Sequence, residues 1–212
     1  ADFFDIDWMP IKEELHGKLL FPVLGRQFGE VLEAGELKLG CHNGAFLIDY
    51  YGRTLPIDPA TYREILTLGL DDFRETMPED SEALRELESI ITAVEHLPNR
   101  NNSTTRAVRE RQREKEVIKG RISQLMETSQ PVAEFLNSNI QRINGEPDAV
   151  ASFDRLERLL NAQVYRLSHW KAASDEINYR RFFDVNELAA VCMEDEAVFE
   201  ESHALVFDLL AR

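Results

Sequence analysis

The sequence predicts an α+β chain that is mainly helical, with a small antiparallel sheet near the N-terminus and a helical bundle after it. Three observations carry this reading. Strand formers and turn residues crowd residues 1–58. Apolar residues at helical spacing run through 59–150. Residues 151–212 combine a long amphipathic run with an aperiodic loop and a last helix. The same three stretches are the expected domain organisation: a sheet region, a helical insertion, and a helix–loop–helix region.

The elements follow in order. Leu19-Leu20-Phe21-Pro22-Val23-Leu24-Gly25 is an apolar run closed by Pro and Gly, and Glu36-Leu37-Lys38-Leu39 alternates as a half-buried strand does. Asn43-Gly44 tolerates the positive φ of a tight hairpin turn, and Phe46, Ile48, Tyr50 and Tyr51 form the strand after it. Gly52-Arg53 is a second turn candidate before Thr54-Leu55-Pro56-Ile57. Asp58 caps a helix whose first residue is Pro59, where a missing amide proton costs nothing. Ser81 opens another helix, with Leu84, Leu87, Ile91 and Val94 on one face. The highly charged run 106–126 carries only a thin apolar stripe and reads as a long solvated helix. Pro131 starts a further helix that Asn144-Gly145 ends. Ser152 caps a helix carrying Phe153, Leu156, Leu160, Val164 and Leu167, a stripe that Trp170 extends. Residues 174–185 read as a loop. Asp184 and Glu187 have capping-box spacing before a helix through Leu188 and Val191. The last helix begins at Glu194-Asp195-Glu196 and buries Val198, Phe199, Leu205, Val206 and Leu209.

Charge and composition exclude several function classes. Lys and Arg number 24 against 39 Asp and Glu, a net charge of −15. Such a surface repels phosphate backbones and anionic membranes, so neither nucleic acid nor membrane is an expected partner. No apolar run approaches the ~18 residues of a spanning helix, and no basic-then-apolar leader opens the chain. Two cysteines, Cys41 and Cys192, form no disulfide framework and fit a reducing, cytoplasmic compartment. Both ends, Phe3-Phe4-Asp5-Ile6-Asp7-Trp8 and Val206-Phe207-Asp208-Leu209-Leu210, read like interior elements, so the expectation is a segment of a longer protein.

Asn178-Tyr179-Arg180-Arg181-Phe182-Phe183-Asp184-Val185-Asn186 is the densest candidate for chemistry. Three aromatics, two guanidinium groups and short polar side chains are what a sugar site needs: rings for the apolar pyranose face, polar groups for hydroxyls. The competing reading is a hydrophobic plug whose arginines pair with Asp175, Glu176 or Asp184, and composition alone favours it. Asp2, Asp5 and Asp7 alternate along one strand edge but lack further oxygen ligands nearby for a cation. Cys41-His42 lacks the second pair of a zinc site, Cys192 and His203 lack an activating context, and Leu24-Gly25-Arg26-Gln27-Phe28-Gly29 lacks the spacing and Lys of a phosphate loop. No metal or cofactor is expected.

Three stretches resemble the maltooligosyltrehalose synthases of the α-amylase clan of glycoside hydrolases. They are Phe3-Phe4-Asp5-Ile6-Asp7-Trp8; the run from Lys18 through Leu37 and on to Pro56-Ile57-Asp58-Pro59; and the run from Gln163-Val164-Tyr165-Arg166-Leu167 through Trp170 to Asp175-Glu176-Ile177-Asn178-Tyr179-Arg180-Arg181-Phe182-Phe183-Asp184-Val185-Asn186-Glu187-Leu188-Ala189, with Met193-Glu194 and Val198-Phe199 beyond. Residues 81–150 match only as a variable helical insertion. Val191-Cys192 departs from the Leu-Arg the family pattern has there.

The resemblance implies a fragment of a (β/α)8 barrel enzyme: the excursion after the third strand plus the helix returning to the barrel. It implies that both catalytic carboxylates lie outside this chain. The reaction implied is conversion of the reducing-end α-1,4 linkage of a maltooligosaccharide into an α,α-1,1 linkage, by retaining double displacement. The isolated fragment is then expected to be inactive, with maltooligosaccharide and the rest of the barrel as its partners. Tyr179, Arg180, Arg181, Phe183 and Asn186 are the implied substrate contacts. The alternative is a helical protein-interaction module with no sugar role.

Overall fold

The computed structural model describes residues 3–100, 104–147, 149–183 and 185–211, with only the backbone of Asn186 and Glu187. Its regular elements are β1 (Leu19–Leu24), α1 (Phe28–Glu33), β2 (Lys38–His42), β3 (Ala45–Tyr50), β4 (Arg53–Pro56), α2 (Arg63–Leu66), α3 (Leu70–Thr76), α4 (Glu82–Glu95), α5 (Thr105–Thr128), α6 (Gln130–Asn144), α7 (Asp154–Asn161), β5 (Tyr165–His169), α8 (Ala173–Glu176), β6 (Arg181–Phe182), β7 (Val185–Ala189) and α9 (Glu196–Leu210). The chain is mainly helical, and it divides into two compact units: Ala1–Phe28 with Val164–Arg212, and Gly29–Gln163.

In Gly29–Gln163, β2, β3 and β4 form the expected antiparallel meander. Asn43 and Gly44 both have positive φ (48° and 72°), as a primed hairpin turn requires. A Cβ on Gly44 would sit 1.8 Å from the Lys119 carbonyl oxygen, so α5 presses directly on this turn. The second turn uses Tyr51 and Gly52 (φ 51° and 81°), one residue before the expected pair. Asp58 accepts from the Ala60 amide above Pro59, and Ser81 Oγ accepts from the Leu84 amide, as the caps predict. The sheet buries Leu39, Phe46, Ile48 and Leu55, and the helices bury Leu66, Leu87, Ile118, Leu136 and Leu156. Tyr62 lies edge-on to Phe46 at 4.8 Å and accepts from its backbone amide. Asn144 closes the open edge of β2: its amide both accepts from and donates to the Leu39 backbone, at 2.6 and 2.9 Å. The long helix α5 ties its charges to acidic neighbours, Lys115 to Asp58 at 2.7 Å and Arg121 to both oxygens of Glu86.

In the other unit β1 pairs with β5, parallel and in register Leu19↔Tyr165. Two expectations change here. β1 does not join the antiparallel sheet. The predicted helix from Ser152 to Trp170 stops at Asn161, and residues 165–169 are a strand. Gln163 ends the helix: its side chain donates to the Leu159 carbonyl and accepts from the Asp58 amide, at 2.6 and 2.8 Å. Past it the burial period switches to two, with Tyr165 and Leu167 buried and Arg166 exposed. The predicted helix through Leu188 is also a strand, because β7 pairs antiparallel with β6 and the Ala190 amide donates to the Arg180 carbonyl. The capping box falls on Asp184, outside the described residues, and on Glu187, whose side chain is outside them too. α9 begins at a cap the sequence reading did not assign, Asp195, which accepts from the Ala197 and Val198 amides. Its apolar face is not buried as expected: Val198 is, but Leu205 and Leu209 are 70% and 61% exposed, since no described residue covers that side. No described helix is long and apolar enough to cross a membrane.

Candidate functional site

The aromatic–arginine segment is positioned by backbone, not by apolar packing. Asp5 N–H donates to the Ala190 carbonyl, Ala190 N–H to the Arg180 carbonyl, and Arg180 N–H to the Asp5 carbonyl, at 3.0, 2.7 and 2.9 Å. This closed ring ties the N-terminal segment to the two sides of the β6–β7 region, which lie far along the chain. Asp7 N–H to the Asn178 carbonyl and Cys192 N–H to the Phe3 carbonyl continue it on either side. Asn178 is buried and spends its side chain on the same job: it accepts from Leu20 N–H and donates to the Asp7 and Lys18 carbonyls, each at 2.8 Å. Residues 3–8 are held by pairing, with isolated bridges from Phe4 to Val191 and from Ile6 to Tyr179. Asp2 lies outside the described residues, Asp7 accepts from the Met9 amide, and the described residues include no cluster of ligating side chains fit for a metal ion.

The five candidate contacts fall into different environments. Tyr179 is 7% exposed and bridges Ile6. Arg180 is held by Asp5 (2.8 Å) and Glu194 (2.7 Å); of the acids the plug reading named, Glu176 pairs with Lys12 and Asp184 lies outside the described residues. Arg181 opens β6, half-buried, opposite Ala189. Phe183 is 84% exposed at the turn between β6 and β7, with φ 55°. That left-handed conformation costs a phenylalanine free energy, so the surrounding strands impose it. Asn186 lies within β7. Phe182, not singled out from the sequence, is 54% exposed and meets Phe183 edge-on at 4.7 Å. Its place in the aromatic run was the available signal. Asp5 and Glu194 were missed as arginine partners because each is remote in sequence from Arg180.

Electrostatics follow from the clamp. The hydrogen bond from Arg180 holds Glu194 below the usual carboxylate range, and Glu194 and Asp5 raise the Arg180 guanidinium. A carboxylate kept ionised this way is a poor general acid, so Glu194 is a brace. Beside the clamp lies a cleft of about 470 Å³, with Asp7, Lys12, Asp175, Ile177 and Tyr179 among its lining residues. The corner thus combines two solvent-facing aromatic rings with guanidinium and carboxylate groups on a braced backbone, an arrangement for holding a neutral polyhydroxyl ligand.

No protein-family model matches the chain, and no curated protein matches it. Solved structures do. The chain is similar to a glycosyltrehalose synthase. That match has 22% identity and a TM-score of 0.41, and covers 97% of this chain and 16% of the other. A maltooligosyl trehalose synthase matches at 18% identity and TM-score 0.44, over 98% of this chain and 15% of the other. The chain therefore spans under a fifth of the length of either protein.

Proposed function

We propose that this chain is the lid and substrate-contact portion of an intramolecular glycosyl transferase of the α-amylase clan, a (β/α)8 barrel enzyme acting in the cytoplasm. The complete enzyme isomerises the reducing-end α-1,4 linkage of a maltooligosaccharide to an α,α-1,1 linkage, forming maltooligosyltrehalose for trehalose biosynthesis. Its catalytic carboxylates belong to the remainder of the barrel, which also covers the apolar face of α9.

The observation that carries the reading is the Phe182–Phe183 corner, two large rings left in solvent on a backbone that hydrogen bonds hold rigidly. Chemistry explains the need. After the α-1,4 bond breaks, a covalent glycosyl-enzyme and a free glucose share the site. The glucose must turn and attack through its anomeric hydroxyl before water does. An aromatic surface on the apolar face of the glucose, with Arg181 and Asn186 near its hydroxyls, keeps it in place and keeps water out. Arg180 and Tyr179 serve by fixing that surface.

The test is the partition between transfer and hydrolysis in the complete enzyme. Phe183→Ala and Arg181→Ala are each expected to raise glucose release relative to α,α-1,1 product by about tenfold, the scale of one lost contact of ~1.4 kcal/mol. A partition unchanged in both variants would contradict the reading.

A further inference from the structure

We infer that Gly29–Gln163 carries a second saccharide site, remote in sequence from the aromatic–arginine corner: a groove between α3 and α6 that holds a stretch of α-1,4-glucan. The inference rests on the glucan chemistry of the proposed function and extends it to residues that reading does not use.

The groove is written in helical spacing. On α6 the buried stripe is Val132, Leu136, Asn139, Ile140 and Ile143. Beside it runs a second stripe, Pro131, Phe135, Ser138 and Arg142, at steps of four, three and four. α3 presents Phe73 and Thr76 to it, with Asp72 and Gly69 alongside. Together these residues line a groove of about 380 Å³. Phe73 and Phe135 are both half-buried and stack almost parallel, 12° between planes and 4.3 Å between centroids. They make one apolar wall shared by two helices.

Arg142 is seated there for a structural reason. Gly69 caps α3 at φ 73°, and a Cβ on it would come within 2.9 Å of an Arg142 guanidinium nitrogen. The glycine thus serves the backbone conformation and leaves room for the arginine to lie across the start of α3. Arg142 has no ion-pair or hydrogen-bond partner among the described residues, although acidic side chains outnumber basic ones in this protein. Asn139, 1% exposed, reaches the same groove and spends its amide nitrogen on the Ile65 carbonyl.

The ligand class follows from the balance of groups. The wall is aromatic, and the rim supplies a guanidinium donor, a carboxylate acceptor in Asp72, a hydroxyl in Ser138 that does both, and an acceptor oxygen in Thr76, whose own proton goes to the Phe73 carbonyl at 2.7 Å. A strongly anionic ligand would meet Asp72 and Glu134, and a cationic one Arg142. A neutral chain of hydroxyls with flat apolar faces meets a partner at each position. Such a groove would raise the local concentration of long maltooligosaccharides by tethering them.

The experiment titrates maltoheptaose, with cellohexaose as the β-linked control, into the full chain and follows binding by calorimetry and amide shifts. Arg142→Gln and Phe135→Ala are expected to weaken maltoheptaose binding about tenfold or more, some 1.4 kcal/mol. Phe183→Ala is expected to leave the α3–α6 shifts intact. Arg142 is exposed, so its variant keeps the fold even if Phe135→Ala does not. If maltoheptaose binds but neither cleft variant weakens it, or if the chain binds no glucan, the inference falls. If the cleft binds and both Phe183→Ala and Arg181→Ala leave the transfer partition of the complete enzyme unchanged, the inference stands and the proposed function falls.

Discussion

The two units solve the folding problem by different means. Gly29–Gln163 encloses its apolar residues: Ile48, Tyr62, Ile65, Leu66, Leu87 and Leu136 have essentially no exposure, and the polar groups among them are paired. The unit built from both ends of the chain leaves Phe4, Phe182, Phe183, Leu205, Leu209 and Leu210 in solvent and relies on a ring of backbone hydrogen bonds and one buried asparagine. A closed core gives stability. A braced but uncovered surface gives a site or an interface, because large exposed apolar areas mark places where something binds. On this comparison the proposed contact with the transferred glucose belongs to the looser unit.

The largest contrast is in apolar truncation. Leu136→Ala removes a fully buried side chain and is expected to cost about 2–5 kcal/mol. Leu209→Ala on α9 is expected to change stability by less than ~0.5 kcal/mol. Urea unfolding followed by far-ultraviolet circular dichroism compares them, and equal losses would break the distinction. Next is the brace. Asn178→Ala strips partners from three backbone groups, with an expected cost of about 2–3 kcal/mol. Hydrogen exchange is expected to accelerate at Leu20, Asp7 and Arg180 while the amides of α4 and α6 stay protected. A uniform acceleration would contradict it.

The smallest effect is electrostatic. Glu194 has a lowered pKa in the folded chain, so its bond to Arg180 is fully present above the ordinary carboxylate pKa and is lost as pH falls through the lowered value. Carbon-detected titration is expected to find Glu194 below its solution range in the native chain and back within it in Arg180→Ala. The pair is solvent-exposed, so global stability should barely register the change. A Glu194 that titrates normally in the native chain would remove the clamp from the account.

The helices of Gly29–Gln163 were legible because cap and stripe lie within a few residues of each other: Ser81 with Leu84 and Leu87, Asp58 with Pro59, Asn43 with Gly44. The misses that change an element's type are long-range, whereas the second turn and the α9 cap differ only locally. Nothing local to Tyr165–His169 announces pairing with Leu19–Leu24, well over a hundred residues away, and the apolar residues there fit helix and strand spacing alike. Capping-box spacing puts Leu188 in a helix although its partner strand makes it β7, and spacing identifies the apolar face of α9 without saying what covers it. At the candidate site, composition marks residues 178–186 as a segment but does not sort its members into buried and exposed. Tyr179 is held inside by its bridge to Ile6 while Phe183 sits outside at the β6–β7 turn, and Asp5 and Glu194 reach Arg180 through the tertiary fold.

The most direct measurement is a crystal structure of this chain, or of the enzyme containing it, soaked with maltotriose and with trehalose. The account predicts a glucose ring lying against Phe183, with its hydroxyls directed toward Arg181. Well-occupied sugar elsewhere, with Phe183 still bare to solvent in both soaks, would contradict it.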